Sequence, residues 1–126
     1  FKFWNPQSAK LFLNAQDYPE IATRNLKIMY SQVGDLKLDN NEIVYKGLLI
    51  RHLVIPGQLE DTKQILNFIA NEISIESAVN VMFQYRPEYT ASSAKFESIN
   101  RSLTESEMVT ALEYKTHSGL ADYSWL

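Results

Sequence analysis

The stretch Gly47 to Ala70, reading GLLIRHLVIPGQLEDTKQILNFIA, constrains the fold more than any other part of the chain. It opens with Leu48-Leu49-Ile50, breaks at Arg51-His52, resumes with Leu53-Val54-Ile55 and stops at Pro56-Gly57. An apolar run with β-branched residues, ended by Pro-Gly, reads as a strand buried on both faces. Helical periodicity follows at once, from about Asp61 to Ile73. Ile65, Leu66, Ile69 and Ile73 form its buried stripe, and Thr62 stands at its start. Strand, short turn and amphipathic helix make up the repeating unit of parallel α/β folds. Arg51-His52 is the chemical anomaly inside it. A guanidinium in a buried strand needs a partner, and both an anionic ligand and a carboxylate elsewhere in the fold would serve. His52 points to the opposite face and reads as a satisfied packing residue.

The flanking segments fit the same architecture. Phe1-Lys2-Phe3-Trp4 resembles the tail of a strand and runs straight into a helix start at Asn5-Pro6, with Asn5 as N-cap and Pro6 at the first helical position. A chain that opens on a strand end reads as a fragment of a longer protein. A short helix is expected from Pro6 to about Leu13. A second restarts at Asp17-Tyr18-Pro19 and ends at Gly34, with Ala22, Leu26, Met29 and Val33 as its core face. Alternation from Asp35 to Lys46 around Asn40-Asn41 predicts a small β-hairpin, and Gly47 the bend after it. The next strand is expected from Ala78 to Tyr85. Val79, Val81, Phe83 and Tyr85 lie on one side of it, and Ala78, Asn80, Met82 and Gln84 on the other, followed by Arg86 if the strand continues. A solvent-facing edge strand and the interior of an open barrel near a ligand both explain the polar side. Gln84 and Arg86 would stand at the carboxyl end of the strand, where α/β folds place their sites, and fit either a polar barrel lining or solvent. Pro87 to Asn100 reads as a long irregular loop. Thr104-Glu105-Ser106-Glu107 is a capping box that opens a last helix carrying Met108, Leu112 and Lys115 on one side and ending at Gly119.

Composition removes several function classes. The 126 residues suffice for one domain, and the net charge of -3 gives no reason to expect nucleic acid or an anionic membrane as partner. There is no cysteine, hence no disulfide, thiolate metal site or cysteine nucleophile, and the two histidines, His52 and His117, lie far apart in the chain. No apolar run approaches the roughly 20 residues that span a bilayer. With no signal peptide visible, the expected location is the cytoplasm. Glycine-rich phosphate loops, G-x-S-x-G and H-E-x-x-H are all absent.

Several stretches, in order along the chain, resemble the C-terminal half of radical S-adenosylmethionine enzymes of the pyruvate formate-lyase activating enzyme branch. They are Phe1 to Pro6, Asp17-Tyr18-Pro19-Glu20, Gln32-Val33-Gly34-Asp35-Leu36, Gly47 to Gly57, Val79-Asn80-Val81-Met82 and Gln84-Tyr85-Arg86-Pro87. The resemblance implies a partial (β/α) barrel with parallel strands and a small inserted hairpin. Residues 1–126 would form its C-terminal half. It also implies a 4Fe-4S cluster on a Cys-x-x-x-Cys-x-x-Cys loop of the N-terminal half, which would be the partner of this half. S-adenosylmethionine bound there yields a radical that abstracts hydrogen, and a glycyl radical enzyme is the expected protein substrate. By the same resemblance Lys2 matches a cofactor-binding lysine preceded by an acidic residue. Arg51 matches an arginine near the methionyl carboxylate. Arg86 lies near a family histidine and departs from it. Asn80 and Gln84 are substrate-side candidates. Since the chain lacks the cluster ligands, this half alone is not expected to be active. The rival reading is a stand-alone half-barrel, dimeric through its open strand edges, that binds a partner without redox chemistry.

Overall fold

The computed structural model describes residues 1–87, 94–123 and 125, except for the side chains of residues 94 and 95. Helix α1 (Pro6–Leu13) and helix α2 (Tyr18–Val33) come first. A hairpin of β1 (Lys37–Leu38) and β2 (Val44–Lys46) follows, then β3 (Leu49–Leu53), α3 (Leu59–Phe68), β4 (Ala78–Met82), a 3-10 segment (Ala94–Ile99) and α4 (Glu105–Ser118). The architecture is mixed α/β. β3 and β4 form a parallel pair, and β1 and β2 a separate antiparallel one. The described residues close no barrel.

Both first helices start where local chemistry directs. The Asn5 side chain accepts from the Gln7 amide at 2.8 Å, and Pro6 needs no partner in the first turn. Gly34 ends α2 at a φ of 66°, its amide donating to the Tyr30 carbonyl at 2.7 Å. In the hairpin, the Asp39 carboxylate accepts from the Asn41 and Ile43 amides. This side-chain turn moves the left-handed residue to Glu42 (φ 61°), past Asn40-Asn41. The chain then crosses itself. Gly47 has a φ of 117°, and a Cβ there would overlap the Asp35 carbonyl, while Leu48 N–H donates to Gly34 O at 2.9 Å.

The core sits on one side of the parallel pair. Ile50 and Val79 pack against Ile65, Leu66 and Ile69 beneath the sheet, together with Leu26 of α2. Full burial of an aliphatic side chain contributes about 1.5–3 kcal/mol. The other face is covered only in part: in β3, Ile50 and His52 are buried, whereas Leu49 and Arg51 are exposed, and on the same face of β4 Ala78 is buried while Asn80 and Met82 are partly exposed. This corrects the expectation of a strand buried on both faces, since α3 supplies apolar cover for one side alone. Met29, expected in the core, is 44% exposed for a related reason given below.

α3 begins at Leu59, two residues before the expected Asp61, and runs into a π-helical turn over Ile69–Ile73, which the sequence pattern did not announce. β4 stops at Met82, short of Tyr85. The Tyr85 hydroxyl instead donates to Ile99 O at 2.8 Å, and Ile99 joins Phe3, Ala9 and Ile55 in a second core cluster. Part of the expected loop is therefore helical, from Ala94 to Ile99, while residues 88–93 of it lie outside the described residues.

The capping box of α4 forms as expected, with Thr104 Oγ1 accepting from Glu107 N and the Glu107 carboxylate from Thr104 N. Glu107 also accepts from Gly57 N at 3.0 Å and takes a two-pronged bond from Arg101 at 2.8 and 2.9 Å. It thereby ties the turn after β3 to the start of α4. Arg101 holds its carboxyl at about 2, well below the usual range. α4 packs on α3, with Ala111 buried, Tyr114 against the core and Leu112 exposed. Trp125 is half exposed and meets Tyr123 edge-on at 5.8 Å.

Gly47→Ala is expected to lower stability by at least about 3 kcal/mol, because backbone strain adds to overlap with the Asp35 main chain. Urea unfolding of the variant against the parent measures this.

Candidate functional site

Parallel register fixes which side chains share the open face. Arg51 stands opposite Asn80, and Leu53 opposite Met82. Arg51 Nη2 reaches across to Met82 Sδ at 3.0 Å. A thioether is a weak acceptor. Among the described residues no carboxylate forms an ion pair with Arg51, so its guanidinium retains most of its donor capacity. The expectation that this arginine must be paired is met by exposure instead: the group stays in water, and burial imposes no penalty on it.

Residues 1 and 2 lie along the edge of β3 away from β4. Val54 N–H bonds Met82 O, whereas Arg51 O accepts from Phe1 N at 2.9 Å; alternate residues of a parallel strand address opposite neighbours. Lys2 is exposed there, its amide donating to the Tyr18 hydroxyl at 3.0 Å. Lys2, Arg51 and Asn80 thus belong to three adjacent lengths of main chain. Gln84 and Arg86 are exposed past the carboxyl end of β4.

The opposite face carries a clamp. His52 is 1% exposed. One ring nitrogen, Nδ1, lies 2.6 Å from Phe1 O, which can only accept, so Nδ1 holds the proton. Nε2 then accepts from the Thr62 hydroxyl at 2.8 Å. Next to Thr62, Asp61 is buried and accepts from the Trp4 and Asn5 amides at 3.1 and 3.4 Å. Burial raises the Asp61 pKa, and the two backbone amides oppose that. His52, Thr62 and Asp61 hold residues 1–5 onto β3 and α3. A hydroxyl on an imidazole has the geometry of a nucleophile and its base, yet both groups are buried and both ring nitrogens are used, so the pair is structural. This agrees with the packing role expected of His52. The contribution of Asp61 went unnoticed in the sequence because an acidic residue in a first helical turn has an ordinary explanation.

A cavity of about 490 Å³ opens between α2 and β3. Ile21 and Met29 of α2, Leu49 and Arg51 of β3, Tyr18 and Phe1 line it. It accounts for the exposure of Met29, which the helical spacing of α2 had placed on the core face. No three His, Asp or Glu side chains among the described residues gather as a metal site, and none of the described helices is long and apolar enough to cross a membrane.

No protein-family model matches the chain, and no solved structure matches it. The chain is similar to an uncharacterized protein of Methanocaldococcus jannaschii, at 37% identity over 114 residues. That match covers 90% of this chain and 29% of the relative, so the chain spans less than a third of the curated relative's length.

The buried histidine sets a pH response. Burial pushes His52 down to about 4 from its ordinary 6.5, the bond to Phe1 O opposing this. Below pH 6.5 the unfolded chain binds a proton that the folded chain refuses, so stability falls as pH drops from about 6.5 through about 4. Urea midpoints across this range should report a loss of about 3 kcal/mol. His52→Gln should remove most of that slope.

Proposed function

We propose that this chain is the C-terminal half of a radical S-adenosylmethionine enzyme resembling the pyruvate formate-lyase activating enzymes. In this reading it is a partial (β/α) barrel in which Arg51 binds the methionyl carboxylate of the cofactor. The observation that carries this is the exposed Arg51 guanidinium on the open face of a parallel pair, beside Asn80 and without a carboxylate partner among the described residues. A planar fork of donors next to an amide suits a carboxylate. Lys2, on the neighbouring main chain, supplies a second cation, and Arg86 a third beyond the strand end. Asn80 and Gln84 face the substrate, which is a glycyl radical enzyme.

The residues present fit S-adenosylmethionine but not the cluster, because a chain without cysteine offers no thiolate. The 4Fe-4S cluster belongs to the N-terminal half of the same protein. When bound, cluster and cofactor supply the radical that removes hydrogen from the substrate. This chain holds the carboxylate end of the cofactor in place and contributes charge opposite to it.

The test uses the native gene product, reconstituted anaerobically with iron and sulfide. Arg51→Gln is expected to weaken S-adenosylmethionine binding about 10- to 100-fold in equilibrium dialysis, with the thermal midpoint unchanged. Equal affinity, or a native product lacking Cys-x-x-x-Cys-x-x-Cys, removes the reading.

The apolar side chains exposed along the α2–β3 cleft favour a second reading, a stand-alone half-barrel that dimerises and binds a partner without redox chemistry. It requires a native product without cysteine and a size-exclusion mass of two copies.

A further inference from the structure

We propose that Met82 is a positioning residue for Arg51: its thioether aims the guanidinium at the carboxyl ends of β3 and β4 and yields it to an entering carboxylate. The inference rests on the reading that Arg51 holds the cofactor carboxylate, and adds the residue that prepares the arginine for it.

The direction of the Arg51 side chain carries the argument. Asn80 stands directly opposite Arg51 across the parallel pair, and its amide oxygen is a better acceptor than a thioether. The guanidinium passes it by. Nη2 donates instead to Met82 Sδ at 3.0 Å, two residues further along β4. Met82 ends β4 and is paired with Leu53, which ends β3. The contact therefore draws the guanidinium along the strands, toward the end where open α/β sheets bind their ligands.

The weakness of the acceptor suits this task. Arg51 is exposed, and a free side chain of that length loses rotamer freedom when it meets a ligand. A contact that already holds it lowers this cost. A carboxylate at position 82 would hold it too, but through a charge-assisted bond that competes with the ligand. A thioether is polarizable and accepts weakly, so an entering carboxylate displaces it readily. The sulfur engages Nη2 alone, which leaves the other N–H groups of the fork for the first ligand oxygen. Met82 is partly exposed, so its side chain can swing aside without disturbing Ile50 and Val79 beneath the pair.

Two measurements on the native gene product test this. Nitrogen relaxation at Arg51 Nε reads the order of the side chain before any ligand is added. Met82→Leu keeps the bulk and removes the acceptor, and is expected to leave Arg51 as mobile as a surface arginine. Equal order in variant and parent overturns the proposal, whatever the chain binds. Equilibrium dialysis of S-adenosylmethionine, after anaerobic reconstitution, reads the consequence. Met82→Leu is expected to weaken binding about 3- to 10-fold, the worth of one modest hydrogen bond. Met82→Glu is expected to weaken it at least about 10-fold, by pairing with Arg51 and repelling the ligand carboxylate. In an Arg51→Gln background, Met82→Leu is expected to change nothing further. An additive loss there would make Met82 a packing residue and overturn the proposal, as would parental affinity in Met82→Glu. Weakening by Arg51→Gln but not by Met82→Leu removes this inference and leaves the carboxylate reading. No effect of Arg51→Gln removes the reading, and the inference with it.

Discussion

Main-chain pairing of β3 with β4, laid over the apolar stripe of α3, is the interaction on which the other parts of this chain depend. Leu49 to Leu53 pairs residue for residue with Ala78 to Met82, and only this register brings Ile50 and Val79 together above Ile65, Leu66 and Ile69. A slip of one residue would exchange the two faces of β3. It would bury Arg51 and expose Ile50 and His52. The penalty for a guanidinium among aliphatic side chains keeps the register as firmly as the core contacts do.

Arg51 and His52 are neighbours in sequence with opposite fates, and alternation along the strand is the reason. His52 points down and spends both ring nitrogens on Phe1 O and Thr62, joining the first residues of the chain to the central unit. Arg51 points up, into the face that α3 does not reach. The same strand thus fastens the fold on one side and presents the exposed Arg51 guanidinium on the other.

A second join holds the carboxyl end of β3. Glu107 completes the capping box of α4, accepts from Gly57 N and is gripped by Arg101. The turn that follows β3 and the helix that packs on α3 are fixed relative to each other by one carboxylate. Together with the Asp61 bonds to Trp4 and Asn5, this surrounds β3 with polar joins at its ends and apolar contact beneath.

Much of this was legible in the residues. The caps Asn5, Gly34, Thr104 and Gly119 ended or began helices where expected, because capping is local chemistry that needs no distant partner. The apolar stripe of α3 likewise identified its buried side, whereas the alternation of β4 did not: Ala78 and Val79, on opposite sides, are both buried, and Asn80 to Met82 are all partly exposed. What sequence could not decide was whether a second layer exists. Leu48 to Ile55 reads the same whether covered on one face or two, and Leu49 and Met29 look like core residues even where they line a cleft. The exposure of Arg51, the π-helical turn after Phe68 and the early end of β4 all follow from which elements meet in space. Local pattern determined the elements and the faces they prefer to bury; the tertiary structure alone decided which of those faces found cover, because burial depends on partners far away along the chain.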